Sequence, residues 1–175
     1  MMIISDKKEV HIIKYPYAEK LNPKLHEIIL EKAVQPDMGA LMTEWHCMGI
    51  KEFKLIGDYA CNIILSFKHS PVNAVPAILA DYTLTLQQIW GQVYNEGHQQ
   101  TSHHHVPSSF AFVYFVNTPK GSSPLVFTSS GKRVKAEAGN MVIFPANLFH
   151  HVPENRCKGR SVIAGNIYYK INDAF

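Results

Sequence analysis

The chain has 175 residues, of which 46% are hydrophobic and 18% charged, and a net charge of +3. This is the composition of a globular protein long enough for one domain with a substantial core. The small charge forms no basic run, so nucleic acid is not implied, and no apolar stretch is long enough to span a bilayer. Cys47, Cys61 and Cys157 have no metal or redox spacing, and their odd number points to a reducing compartment. The apolar run at the first residues is too short for a signal peptide, so a cytoplasmic location is expected.

Residues 10–14 read as a strand. Asn22-Pro23 can cap and start a helix, continued by Leu25, Ile28, Ile29 and Ala33 at helical spacing and ended by Pro36-Asp37 and Gly39. Residues 40–47 read as extended, with Trp45 and His46 able to approach the mouth of the fold, although a tryptophan is more often core. Phe53, Ile56, Ala60, Ile63 and Phe67 predict a second amphipathic helix, weakened slightly by Gly57. Pro71 and Pro76 mark a connection. From Tyr82 the pattern alternates through Trp90 to Tyr94 as a strand.

Thereafter the chain becomes a series of short strands. Residues 110–116 are apolar on both faces, 125–127 and 141–145 are short apolar runs, and turns fall at Gly121, Gly131 and Gly139. Short strands with turn signals at this spacing argue for a sandwich or barrel. The expected fold is mainly β, a jelly roll or double-stranded β-helix over residues 82–172. Residues 1–81 supply α/β elements whose helices pack on one sheet. No repeat or second domain is visible, so residues 1–175 are read as one domain.

The chemistry concentrates in two stretches. His103, His104 and His105 stand in a row before the apolar strand, and His150-His151 lies further on, with Arg160 ten residues beyond His150. Side chains alternate on a strand, so the three histidines, read as opening that strand, would project His103 and His105 together and His104 away. By the same alternation His151 points away from His150. Imidazole suits zinc, copper, iron and nickel, and two histidines on one strand plus His150 would leave a metal open to other ligands. A histidine run can equally be a surface tract. Arg160, Val162, Ala164 and Asn166 share a face of one strand. An arginine there needs a partner, either a bound carboxylate held bidentately or a protein carboxylate.

Together, His103-x-His105, Tyr114-Phe115-Val116-Asn117, Phe144-Pro145, His150-x-Val152 and Arg160-x-Val162 resemble the Fe(II)- and 2-oxoglutarate-dependent oxygenases, in the prolyl-hydroxylase-like branch. The resemblance covers roughly residues 83 to 169. It implies that His103 and His150 bind Fe(II), that Arg160 binds the far carboxylate of the co-substrate 2-oxoglutarate, and that Tyr94 contacts the same molecule. Asn166 is a weaker candidate for co-substrate or product, and Gln92 and Gln100 are weaker still. The family places an acid where this chain has His105. No Asp or Glu lies between Gly97 and Ala136, so the ligand set becomes His103, His105 and His150. The implied activity is a dioxygenase that uses O2, decarboxylates 2-oxoglutarate to succinate and CO2 and hydroxylates an unidentified substrate. Two alternatives stay open. One is a cupin-like three-histidine dioxygenase or isomerase that does not use 2-oxoglutarate. The other is a jelly-roll binding module whose histidines are incidental.

Overall fold

The computed structural model describes residues 8–37, 39–66 and 82–171. Strand β1 (His11–Lys14) leads into helix α1 (Ala18–Lys32), a hairpin of β2 (Gln35–Asp37) and β3 (Ala40–Met42), and helix α2 (Lys51–Ser66). There follow β4 (Tyr82–Tyr94), β5 (Gln100–His103), β6 (Phe110–Asn117), β7 (Leu125–Phe127), β8 (Lys132–Val134), β9 (Asn140–Pro145), β10 (His150–Val152) and β11 (Arg160–Ile171). The strands form two antiparallel sheets, the larger ordered β1-β9-β6-β11-β4-β3-β2 and the smaller β5-β10-β7-β8. This is the jelly-roll arrangement expected from the density of short strands. No described helix is long and apolar enough to cross a membrane.

The larger sheet is buried on both faces, and its alternation decides what each face does. Ile89 and Val93 of β4, Phe112, Tyr114 and Val116 of β6, Met141 and Ile143 of β9, and Ile163 of β11 join Leu25, Ile29, Phe53, Ile56 and Ala60 in one core beneath the helices. Trp90 and Tyr94, Ala111, Val113 and Phe115, Val142 and Phe144, and Val162 and Ala164 turn the other way and meet Leu125, Phe127 and Val152 of the smaller sheet. The helices therefore cover one face, as expected, and the space between the sheets is left for the site. Period-two alternation of this kind follows from strand geometry.

Several local expectations are corrected. Helix α1 starts at Ala18, so Pro23 lies inside it. Asn22 does not cap: its amide donates to the Val116 carbonyl at 2.8 Å and accepts from the Tyr114 hydroxyl at 2.6 Å. Tertiary bonds to β6 have claimed the side chain that sequence assigns to a cap. Pro36-Asp37 does not simply end a helix but sits in β2, paired with β3. Only residues 40–42 of the expected extended segment are strand, and a short 3-10 turn occupies Cys47–Gly49. The expected second helix ends at Ser66 within the described residues, while Phe67, Pro71 and Pro76 lie outside them. Gly57 also serves packing, because a Cβ there would meet the Leu86 side chain of β4 and force it to shift.

A second close approach occurs at Gly165 of β11, where a Cβ would run into the Phe112 ring and come within 3.0 Å of the Gln88 carbonyl oxygen. Overpacking of this kind costs about 1–3 kcal/mol. Gly165→Ala should lower the melting temperature by several degrees, more than a Gly→Ala change at the open Gly49, where a Cβ meets nothing within 4 Å. Comparable melting temperatures for the two variants would contradict this packing.

Candidate metal centre

The three histidines do not open the apolar strand. His103 ends β5 in the smaller sheet, and His104 and His105 follow outside any strand. A turn containing the cis Val106–Pro107 bond separates them from β6. The facing expected from alternation nevertheless holds, for a different reason. His103 lies directly opposite His150 of β10 in the sheet register, and the His105 backbone N–H donates to the Ala146 carbonyl at 2.8 Å. These two anchors bring the rings together, with centroids 5.1 Å apart for His103 and His105, 4.4 Å for His103 and His150, and 5.1 Å for His105 and His150. One ligand nitrogen from each lies within 4.8 Å of the others, a group able to hold a metal ion.

Tautomers favour ligation. His103 Nδ1 lies 2.8 Å from the Thr101 carbonyl and His150 Nδ1 lies 3.0 Å from the Leu148 carbonyl. A carbonyl only accepts, so each Nδ1 carries the proton and each Nε2 keeps its lone pair for a metal. His105 Nε2 lies 3.3 Å from His150 Nε2, so the lone pair of His150 faces the His105 ring across a gap that a cation can fill. His104 instead packs edge-on against Phe149, which is exposed, at 4.7 Å between centroids, and His151 Nδ1 pairs with the Thr128 hydroxyl at 3.0 Å.

Burial keeps His105 and His150 neutral. It drives the His105 pKa down to about 3 and that of His150 to about 4, with His150 and His103 respectively adding the next largest push. Both values lie below the ordinary histidine pKa of ~6.5, so between them and that value the unfolded chain binds more protons. Stability is then complete above pH ~6.5 and falls as the pH drops. The metal-free protein should lose on the order of 2–4 kcal/mol of stability between pH 7 and 4.5 through these two groups. Melting curves across that range check it, and a His105→Phe, His150→Phe double variant should flatten the dependence.

Tyr94 and Arg160 face each other in the register of β4 and β11. Both are buried, and Arg160 is 0% exposed. Its guanidinium carbon lies 4.4 Å from the Tyr94 ring centre. Nε donates to the Ser123 carbonyl at 3.0 Å, while Nη1 and Nη2, both buried, meet no acceptor. Among the described residues the ion pairs formed are all elsewhere, so the protein carboxylate left open by sequence is not found there. The Tyr94 hydroxyl donates to Gln92 Oε1 at 3.0 Å.

The histidines, Tyr94 and Arg160 line one enclosed cavity of about 150 Å³, walled by Trp90, Val113, Leu125, Val152, Val162 and Ala164. Asn166 does not line it. It stands with Gln88, its amide donating to Gln88 Oε1 at 2.7 Å, in an adjoining open groove of about 830 Å³ that also contains Trp45, His104, His105 and Tyr168. Trp45, at 40% exposure, borders both spaces, which places it at the mouth rather than in the core.

Solved structures with this architecture decide what the fold is. The viral collagen prolyl hydroxylase from Paramecium bursaria Chlorella virus-1, in its 2-oxoglutarate complex, matches with a TM-score of 0.70 at 12% identity, over 90% of this chain and 94% of that one. A Pseudomonas putida prolyl-4-hydroxylase matches with a TM-score of 0.63 at 15% identity, over 95% and 94%. The fold is that of the 2-oxoglutarate- and Fe(II)-dependent oxygenases. The same oxygenase fold appears in the alpha-ketoglutarate-dependent epimerase SnoN of nogalamycin biosynthesis, with a TM-score of 0.66 at 10% identity, over 96% and 83%. No protein-family model matches the chain. No curated protein matches it in sequence either.

Sequence reasoning missed two contributors to this cavity, Asn155 and Trp90, and ranked two others low. Gln92 and Gln100, the weakest of the co-substrate candidates read from sequence, are buried beside Tyr94. Asn155, 0% exposed, accepts from the Ser123 N–H at 3.0 Å and donates to the Tyr94 and Cys157 carbonyls at 3.2 and 2.7 Å. It thereby fixes the loop whose Ser123 carbonyl holds Arg160. Trp90 read only as part of a strand. Alternation from Tyr94 would have turned Trp90 and Gln92 inward, whereas nothing in sequence marks Asn155.

Proposed function

We propose that the protein is an Fe(II)- and 2-oxoglutarate-dependent oxygenase. His103, His105 and His150 hold the metal, Arg160 pairs with the distal carboxylate of 2-oxoglutarate, and Tyr94 borders the same molecule. The observation that carries the reading is the Arg160 guanidinium, buried with two nitrogens lacking acceptors in the cavity that holds the three histidines. A buried guanidinium whose two terminal nitrogens meet no acceptor is costly, and a carboxylate ligand satisfies the free side of its planar fork.

Bound together, the metal and 2-oxoglutarate would supply O2 activation coupled to loss of CO2 and formation of succinate. The chain's own task is placement and exclusion of water. Nδ1–H bonds to backbone carbonyls hold the His103 and His150 rings in orientation. Ser123 holds the Arg160 guanidinium through Nε, and Nη1 and Nη2 are the donors left for the ligand carboxylate. Val113, Leu125, Val152, Val162 and Ala164 keep the chamber dry. Asn166, in the wider groove beside His105, is assigned to the primary substrate or product rather than to the co-substrate. Cys47, Cys61 and Cys157 are all free thiols, which agrees with a reducing, cytoplasmic setting.

The three-histidine set favours one second reading, a metal enzyme that dispenses with 2-oxoglutarate and whose substrate itself supplies the acid for Arg160. Fold alone does not choose between them. Anaerobic protein with Fe(II) and 2-oxoglutarate should develop a weak visible charge-transfer band, and admission of O2 should yield succinate. Metal binding with neither band nor succinate would transfer the assignment to the second reading.

A further inference from the structure

The open groove outside the enclosed cavity has a charge pattern of its own. Among the described residues that line it there is no Lys or Arg, and its one carboxylate is the exposed Glu44. The chain as a whole carries 17 Lys and Arg against 14 Asp and Glu, so a groove of about 830 Å³ without a basic residue departs from the rest of the molecule. Asn166, buried in the groove wall, spends its amide N–H on Gln88 Oε1 at 2.7 Å, and its Oδ1 meets no donor. It is the one buried polar atom without a partner among these lining residues, and an amide oxygen only accepts. The groove is therefore short of donors and of positive charge.

Backbone pairing sets the order of these groups. The Ile89 N–H donates to the Trp45 carbonyl at 3.2 Å, which lays residues 44–46 along β4 beside Gln88, and Gln88 stands opposite Asn166 in the register of β4 and β11. The Trp45 ring packs at 4.6 Å from that of Trp90, which in turn lies 6.0 Å from the His105 ring. Trp45 thus borders the groove on the side that leads to the histidines. A partly exposed indole next to a carboxylate suits an alkylammonium group, since the ring face attracts the cation and the carboxylate takes its N–H groups. An anion would find no lysine or arginine there and would face Glu44. Resting on the oxygenase reading above, we infer that the primary substrate is a cationic amine. Its ammonium group sits by Glu44 and Trp45, and its carbon chain runs past His105 toward the metal. The amine belongs either to a free small molecule or to a lysine side chain, which share this chemistry.

Pentylamine, pentanol and pentanoate have one chain length and differ in charge. Each is titrated by calorimetry into the metal-free protein, where nothing can bind through iron. Pentylamine should bind saturably in the millimolar range, pentanol about fivefold more weakly, and pentanoate not measurably. N-acetyl-lysine amide distinguishes the sources: tighter binding than pentylamine identifies a lysine side chain, weaker binding a free amine. Glu44→Gln, at an exposed position, and Trp45→Leu should each weaken pentylamine by about three- to fivefold and leave pentanol nearly unchanged. With Fe(II) and 2-oxoglutarate bound under anaerobic conditions, pentylamine should shift the charge-transfer band. Absence of the band in every sample removes the oxygenase reading and the substrate role with it. A normal band that pentylamine leaves unmoved, equal binding of the three probes, or pentylamine affinity unchanged in both variants overturns the inference alone.

Discussion

Arg160→Ala should weaken 2-oxoglutarate binding by about 30-fold or more, the loss expected for a desolvated, charge-assisted pair, while Fe(II) affinity changes little. The guanidinium lies opposite Tyr94 on the larger sheet and holds none of the histidines. Arg160→Lys should recover only part of the affinity, since an ammonium cannot reproduce the planar fork. The stability outcome separates this role from a structural one. An arginine holding a protein carboxylate would leave that group stranded when removed and destabilise the fold by about 3–5 kcal/mol. Here Nη1 and Nη2 meet no acceptor, so Arg160→Met, which fills similar volume without the charge, should hold or raise the melting temperature of the ligand-free protein. Calorimetric titration beside a melting curve decides. Unchanged 2-oxoglutarate affinity with a large fall in melting temperature would take Arg160 out of the site.

The proposed metal ligands give the second large effect. Tight structural sites with four ligands bind with about 10–16 kcal/mol, or roughly 3 kcal/mol for each ligand. Loss of His103, His105 or His150 should therefore weaken metal binding on the order of 100-fold. His104→Ala and His151→Ala should leave it within a few-fold, since those rings face Phe149 and Thr128. Measured metal stoichiometry across the five alanine variants tests the assignment. Loss in His104→Ala with retention in His105→Ala would mean that the two rings exchange places on metal binding.

The strand-rich half of the chain was legible because its signals are local. Alternation from Tyr82 to Tyr94, the apolar run of β6 and the turns at Gly131 and Gly139 each act over a few residues, and the strands follow them. Helix α1 was harder because Asn22 carries a capping signal that bonds to Val116 and Tyr114, more than ninety residues away, override. The histidine facing was anticipated although the strand was misplaced. Alternation applies only to His103 at the end of β5, and the tie from His105 to Ala146 delivers what a continued strand would have done. The Arg160 face was read correctly as far as Ala164. Beyond it the strand leaves the enclosed cavity, so Asn166 shares the face but meets a different space. Asn155 lies in a loop and acts through backbone groups scattered along the chain, a role with no periodic signature.

The cavity has its two kinds of polar group on opposite walls. The histidines come from β5, β10 and the segment after β5, on the side of the smaller sheet, whereas Tyr94 and Arg160 come from β4 and β11 of the larger one. A ligand that reaches from one group to the other is a strut between the sheets, and its binding energy resists their separation. On the proposed function, metal alone would brace one wall and metal with a dicarboxylate both, so amide-hydrogen exchange should slow in β10 on metal loading and in β11 only when the second ligand arrives.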